Sequence, residues 1–187
     1  MVERSPRRAA RTAGAFYVVT IVLGLVAAFT AGRLSDTSSL VATVCYVVIT
    51  ILLYYILRPV SQGLSMLAAL FSLAGCTFSI LDTLHLVSLH FNYIVFFGFY
   101  CLILGYLIIR STFFPPAIGV LLLLAGANYF TFLSPTLAHR LTPYNYIPGL
   151  LAEGALTAWL LVVGLDETRW KELSSHAHNE TIRTSSG

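Results

Sequence analysis

The sequence predicts an all-α membrane protein, a polytopic bundle of six transmembrane helices with both termini in the cytoplasm. Of the 187 residues, 57% are hydrophobic and only 10% are charged, whereas soluble domains carry about 25% charged residues. The mean hydropathy is +0.82. Such a chain cannot give a water-soluble fold a polar surface, so the bilayer must solvate most of it. Between positions 41 and 165 the acidic and basic side chains are only Arg58, Asp82, Arg110, Arg140 and Glu153.

Six apolar segments follow one another along the chain, each long enough, at about 1.5 Å per residue, to cross about 30 Å of hydrocarbon. They are residues 13–32, 39–57, 63–86, 93–109, 117–133 and 149–165. We therefore expect three parts: a basic cytoplasmic arm at 1–12, a transmembrane domain at 13–165 and a polar cytoplasmic tail at 166–187. The tail begins as a short amphipathic stretch in which Trp170 suits the membrane interface.

The distribution of basic residues predicts the orientation. With the N-terminus inside, nine Lys and Arg residues face the cytoplasm and two, Arg33 and Arg140, face the other side. This agrees with the positive-inside rule only for an even number of spans. A five-span alternative treats the first segment as a cleaved signal peptide. Its apolar run is longer than the about 7–15 residues of a signal peptide, and residues 28–31 are a poor cleavage site, so six spans are favoured.

Small and weakly polar residues predict which helix faces meet. In lipid, helices associate through such residues rather than through hydrophobic burial. Cys45, Cys76 and Cys101 lie within apolar segments, which favours a packing role over a disulfide framework. The third segment carries a polar stripe that must face protein or water, formed by Ser65, Ser72, Cys76, Ser79, Thr83 and His90.

Two carboxylates, Asp82 and Glu153, fall at membrane depth. A charge at the centre of a bilayer costs at least about 2.5–3.5 kcal/mol, so such residues are functional candidates. In the predicted orientation both lie in the outer half of their helices. The sharper hypothesis is an outward-facing polar pocket. The simpler alternative is that each polar group only hydrogen-bonds a neighbouring helix. The pocket residues would be Asp82, His85, His90, Asn128 and Glu153.

The sequence predicts no metal site and no cofactor, and it assigns no catalytic residue. Asp82, His85, His90 and Glu153 include metal-ligand types, but His85 points about 160° away from the stripe that His90 joins. The chain has no nucleotide-binding loop, nucleophile elbow or zinc-protease motif. The net charge of +3 lies at helix ends and in the tails, so it does not indicate nucleic-acid binding. The expected partners are the bilayer and a small-molecule or lipid ligand.

Several phrases carry a resemblance to a bacterial membrane family. They are LLYYILRPVS at 52–61, VFFGFYCLILGYLIIRSTFFP at 95–115, TFLSP at 131–135 and PGLLAEG at 148–154. The chain resembles the family known as domain of unknown function 4386 over nearly its whole length, and Asp82 matches that pattern less clearly. The resemblance implies an inner-membrane protein and brings no assigned activity. The matching residues are Arg58, Gly98, Tyr100, Gly105, Arg110, Pro148, Gly149 and Glu153.

Three functional hypotheses follow. The first is a non-enzymatic protein that binds or transports a small molecule or lipid through the outer-facing pocket. The second is a membrane-embedded enzyme acting on a lipid or isoprenoid, with Asp82 or Glu153 as general acid. The third is an accessory or assembly subunit in which the polar residues only hold helices together.

Overall fold

A computed structural model describes residues 5–87 and 92–175 of the chain. This described part is helical, with no β-strand, which confirms the predicted all-α class. Short 3-10 turns at Phe130–Leu133 and Tyr144–Tyr146 flank α6. The helices are α1 (Pro6–Phe29), α2 (Arg33–Leu57), α3 (Gln62–Thr83), α4 (Ile94–Arg110), α5 (Pro116–Tyr129), α6 (Pro135–Leu141), α7 (Ile147–Val162) and α8 (Glu167–Ser175).

Proline and serine fix several helix starts. Pro6, Pro116 and Pro135 lie in the first turns of α1, α5 and α6. Backbone N–H groups in a first turn have no acceptor within the helix, so proline, which has no N–H, loses no hydrogen bond there. The Ser61 hydroxyl caps α3 by accepting from the Leu64 amide at 3.5 Å. Each of the six predicted apolar segments corresponds to a helix whose ends lie within seven residues of the predicted ones. α6 was not predicted from the sequence.

Within residues 5–87 and 92–175, four helical stretches are long and apolar enough to cross a bilayer: α1, α2, α3 and Pro116–Leu133, which joins α5 to the following turn. A fifth would arise if Tyr144–Val162 and α8 formed one span across a bend of 101°. α4, with 17 residues, falls short of this length. The chain is thus compatible with a multi-pass membrane protein, but helix length does not confirm the predicted number of six.

Six helices form a closed ring in chain order. α1 packs against α2, α2 against α3, α3 against α4, α4 against α5, α5 against α7, and α7 returns to α1. The ring has two ends, named here by the short helices beside them. At the α8 end, α1, α3 and α5 begin and α2, α4 and α7 finish. At the α6 end the reverse holds.

α4 and α5 approach each other closely at four glycines. A Cβ on Gly105 would lie 2.6 Å from the Gly119 carbonyl oxygen, and a Cβ on Gly126 would lie 2.8 Å from the Gly98 carbonyl oxygen. Side chains at these positions would force the helices apart. The glycines therefore allow the backbone contact that small residues provide in membrane bundles.

Hydroxyl groups join α2 to α3. The Thr50 and Ser72 hydroxyl oxygens are 2.6 Å apart, and those of Thr43 and Ser79 are 3.4 Å apart. Ser65, Ser72, Cys76 and Ser79 are buried. The predicted stripe on the third segment therefore faces protein over these residues, while His90 lies outside the described residues.

α8 closes one end of the ring. The buried Trp170 indole donates to the Ile56 carbonyl oxygen at 2.9 Å, one of the carbonyls that the end of α2 leaves without a helical partner. Arg169 donates to the Thr112 carbonyl oxygen at 2.9 Å, and Ser5 donates to the Glu167 carboxylate. Trp170 is thus packed in protein, where the sequence suggested the membrane interface.

Part of the predicted N-terminal arm is helical. α1 begins at Pro6, so residues 6–12 of the 1–12 arm belong to it. Ala9 and Ala10 are buried, and a Cβ on Gly164 would lie 3.3 Å from Arg7 Cγ. The first turns of α1 therefore pack against the end of α7.

We predict that Gly105→Ala lowers the stability of the fold, because the added methyl group would meet the Gly119 carbonyl oxygen. Overpacking of this kind costs about 1–3 kcal/mol. The measurement is the thermal unfolding midpoint of purified protein in mild detergent. Gly24→Ala is the matched control, because a Cβ at that helical glycine would meet no atom of another helix within 4 Å. Equal midpoints for the two variants would contradict the close α4–α5 contact.

Candidate functional site

Glu153 lies inside the ring and is hydrogen-bonded across it. It stands in the second turn of α7, where it is partly buried. The buried Tyr46 of α2 donates its hydroxyl to Glu153 Oε1 at 2.7 Å. α2 and α7 are not neighbours in the ring. This bond therefore crosses its interior.

The carboxylate is deeper than its position in the sequence suggests. Its partner Tyr46 lies near the middle of α2, a 25-residue helix. Because Tyr46 and Glu153 are hydrogen-bonded, the second turn of α7 is level with the middle of α2. α5 and α7 are also shorter than α2, with 14 and 16 residues. The sequence placed Glu153 near the outer end of its own helix, but that helix begins well below the tip of α2.

Three further tyrosines surround Glu153, each from a different helix: Tyr17 of α1, Tyr100 of α4 and Tyr129 of α5. The Tyr46 ring stands edge to face with those of Tyr17 and Tyr100, with centroids 5.8 and 6.1 Å apart. The Tyr17 and Tyr100 hydroxyls are buried close to each other. Five helices thus converge on one carboxylate and four phenols.

A cleft of about 200 Å³ opens from this cluster towards the α6 end. Its walls come from α2, α4, α5 and the start of α7, which lie on different sides of the ring, so the cleft lies in the ring interior. Four of its six lining residues are aromatic. They are Tyr46, Ile94, Phe97, Tyr129, Tyr146 and Glu153.

The cleft ends blind. On the α8 side of Tyr46 the ring interior is filled by fully buried aliphatic side chains from α2, α4, α5 and α7, and α8 covers that end. This apolar layer separates the cleft from the α8 end. Its members include Ile49, Leu53, Leu104, Leu122, Leu156 and Leu160.

Gly149 lets Tyr129 reach the cleft. A Cβ on Gly149 would overlap the Tyr129 hydroxyl oxygen, so only glycine at this position leaves room for the phenol. The Tyr129 ring continues into an aromatic row with Phe132 and Tyr146, with centroids 6.4 and 5.2 Å apart. This row fixes Tyr146 at the mouth of the cleft.

Of the four predicted pocket residues that the structure describes, only Glu153 lines the cleft. Asp82 is exposed in the last turn of α3, beside Tyr93. His85 is exposed beyond the end of α3, with φ 53°. His90 lies outside the described residues. Asp82 and His85 are separated from Glu153 because α3 stands across the ring from α7 and its last turn leaves the ring interior.

Asn128 holds the mouth of the cleft without lining it. Its side-chain amide donates to the Asn145 carbonyl oxygen at 2.5 Å, and the Asn145 amide donates to the Ala138 carbonyl oxygen at 3.4 Å. These bonds tie the end of α5 to α6 and to the turn that carries Tyr146. Asn128 is therefore a positioning residue for the 130–146 segment.

No group of three or more His, Cys, Asp or Glu side chains suited to a metal ion occurs within residues 5–87 and 92–175. The cleft offers one carboxylate and aromatic groups. Hard cations such as Ca²⁺ and Mg²⁺ need several oxygen ligands. The lining residues therefore do not form a site of that kind.

Comparison with known proteins places the chain in a family. Residues 29–93 and 88–164 match the family described as Domain of unknown function (DUF4386). The chain belongs to this family. An uncharacterised protein of Archaeoglobus fulgidus is 29% identical over 127 residues, which cover 63% of this chain and 76% of that relative. No solved structure matches the chain.

The region matched to DUF4386 contains every residue that lines the cleft. Tyr17 precedes that region and α8 follows it. The cleft thus belongs to the part of this DUF4386 protein that defines its family. The resemblance expected from the sequence is confirmed, and it carries no assigned activity.

The tyrosines were not among the predicted site residues, although their positions along the helices distinguish them. Tyrosine in membrane helices is enriched at the membrane–water interfaces, yet Tyr17, Tyr46 and Tyr100 each lie well inside their helices. Phenols at such depth need a polar partner or a packed interior. Their depth in the helices identifies these tyrosines, but it does not show that they lie beside Glu153.

We predict that Tyr46→Phe destabilises this DUF4386 protein, because it leaves the Glu153 carboxyl without its donor. Losing one partner of a buried hydrogen bond costs about 1–3 kcal/mol. The measurement is the unfolding midpoint in detergent, with Tyr144→Phe, whose side chain is 70% exposed, as control. The double variant Tyr46→Phe with Glu153→Gln should lose less stability than the sum of the single variants. Strict additivity would contradict a direct bond.

Proposed function

We propose that the chain crosses the plasma membrane six times, with both termini in the cytoplasm and the α6 end outside. The closed ring supports this proposal, because α4 and α7 each pack between two neighbours and so share their orientation across the bilayer. The nine basic residues assigned to the cytoplasmic side lie at the α8 end or in the tails, which agrees with the positive-inside rule.

Cysteine labelling tests this topology. The native cysteines Cys45, Cys76 and Cys101 are buried, so a single new surface cysteine reports its own side. A membrane-impermeant maleimide added to intact cells should label His139→Cys at the α6 end. It should label Ser175→Cys at the α8 end only after lysis. Labelling of Ser175→Cys in intact cells would contradict the orientation.

The molecular function we propose is binding of a small molecule or lipid in the cleft, as a carrier or receptor. The observation that supports it is the Glu153 carboxyl at the inner end of an aromatic cleft, held by Tyr46 at 2.7 Å. Ionisable residues within a membrane bundle mark ligand or ion sites by default. A concave, mostly apolar pocket with one convergent polar group is the usual form of a small-molecule site.

The surroundings of the mouth favour a ligand that arrives from the membrane. The 130–146 segment next to the mouth exposes Leu133, Leu137 and Leu141, at 65%, 43% and 36%. Leu137 and Leu141, four residues apart in α6, lie on one face of that helix, as in helices that rest in the membrane interface. In the proposed orientation this face lies in the outer leaflet.

The blind inner end favours binding over a permanent pore. A molecule in the cleft meets the apolar layer below Tyr46, which contains fully buried Ile49, Leu53 and Leu104. Transport would require these packed side chains to separate. Passage through a carrier therefore needs a second conformation, whereas binding does not.

Two other hypotheses predict different results in the experiment below. A membrane-embedded enzyme acting on a lipid or isoprenoid, with a carboxyl as general acid, would convert the bound molecule. The cleft provides Glu153 for that role but not Asp82. An accessory subunit would retain a protein partner and lose no ligand when the cleft is altered.

We predict that protein purified in mild detergent, after incubation with total membrane lipid extract, carries a bound non-protein mass in native mass spectrometry. Glu153→Gln removes the charge while keeping the shape, and Ile94→Trp fills the mouth, so both variants should lose most of that mass. Asp82→Asn is the matched control, because its carboxyl is exposed outside the cleft.

Size-exclusion elution at the wild-type volume verifies that each variant is folded. Equal occupancy in wild type, Glu153→Gln and Ile94→Trp would overturn the proposal. A wild-type protein that binds nothing from the extract would overturn the proposal of a lipid ligand.

A further inference from the structure

Among the residues that the structure describes, the cleft is lined by one acidic side chain, Glu153, and by no Lys, Arg or His. Among the described contacts, the side-chain partner of Glu153 is Tyr46, which is neutral. Arg58 and Arg110 stack on Tyr55 and Tyr106 near the α8 end, far from the cleft. The electrostatic complement of the site is therefore a cation.

The aromatic side chains that line the rest of the cleft also favour a positively charged ligand. Tyr46, Phe97, Tyr129 and Tyr146 line the cleft from three helices and the turn before α7. Aromatic rings attract cations through the negative potential on their faces, and cages of such rings recognise quaternary ammonium groups. The Tyr46 and Phe97 rings stand at 84° to each other with centroids 5.2 Å apart, so they form a corner and not a flat wall.

The chemistry of the walls also narrows the kind of cation. A primary ammonium brings three donors that each need an acceptor, whereas the described lining offers one carboxyl, an oxygen of which already accepts from Tyr46, and otherwise only tyrosine hydroxyls as side-chain acceptors. An inorganic divalent ion needs more oxygen ligands than this. An alkylated ammonium needs no hydrogen bonds and benefits from apolar and aromatic contact. The cleft volume of about 200 Å³ accommodates a small group of this type.

From these observations we infer that the ligand is an alkylated organic ammonium, bound with its positive charge beside Glu153 and its alkyl groups against the aromatic walls. This inference rests on the proposed function and names the class of ligand. The ammonium group could come from a free amine or from a lipid headgroup. The same recognition applies to both sources.

The test compares two probes of nearly the same shape: choline, and 3,3-dimethylbutan-1-ol, in which carbon replaces the charged nitrogen. Binding to full-length protein in neutral detergent is followed by calorimetry, with sodium chloride matching the ionic strength. Choline should bind wild type at least about tenfold more tightly than the neutral alcohol. Glu153→Gln should reduce this preference to near equality, and Asp82→Asn should leave it unchanged.

A second experiment distinguishes a lipid headgroup from a free amine as the source of the ammonium group. Protein is reconstituted in nanodiscs of phosphatidylcholine mixed equally with phosphatidylglycerol, and the lipid retained on release is identified by mass spectrometry. A lipid source is supported by retained phosphatidylcholine that free choline displaces, and a free amine by choline binding without lipid retention. The wild-type comparison of the two probes needs no variant, so the test holds even if Glu153→Gln fails to fold.

Equal binding of choline and its neutral isostere would overturn the inference about charge while leaving a ligand cleft in place. Preferential retention of phosphatidylglycerol would overturn it as well. Failure of both probes, with no lipid preference, also overturns the cation inference. Whether the cleft binds anything else is then decided by the native mass spectrometry of the Ile94→Trp variant.

Discussion

A carboxyl group near the middle of a helix bundle constrains the helices around it, because in an apolar interior it must have a polar partner. Glu153 finds that partner in Tyr46, on a helix that is not its neighbour. The bond exists only if α2 and α7 face each other across the interior, which requires the ring to close. The glycine contacts between α4 and α5 and the closure of α7 onto α1 are therefore conditions for the site.

The two ends of the ring have opposite properties. At the α8 end, Trp170 and Arg169 bond to carbonyl oxygens that the chain leaves free at the end of α2 and in the turn before α5, and aliphatic side chains fill the interior. At the α6 end, α4, α5 and α7 begin or finish below the tip of α2, and the space becomes a cleft. In the described part of the chain, the cleft gives access to Glu153 from the α6 end, as the proposed receptor or one state of a carrier would require.

The cleft combines one acidic group with aromatic walls, and each of these features narrows the range of ligands that the other would accept. A carboxyl alone would suit protons, metals and amines alike, whereas aromatic rings alone would suit many apolar molecules. Together they favour a cation that does not require many hydrogen bonds. The Asn128–Asn145 bond contributes indirectly, because it fixes the segment that places Tyr146 at the mouth.

The sequence by itself determined the all-α class, the six apolar segments, the family and the choice of Glu153, because hydropathy, charge and helical periodicity act along the chain. It also identified the polar face of α3, since a stripe of small polar residues repeats with the helical period. Only the tertiary structure decided that Asp82 and His85 lie outside the cleft, that Asn128 positions its mouth, and that Tyr17, Tyr46, Tyr100 and Tyr129 gather at Glu153. The physical reason is that depth and partnership depend on where each helix begins relative to its neighbours, and that offset comes from ring closure, glycine contacts and the docking of α8 rather than from any local pattern.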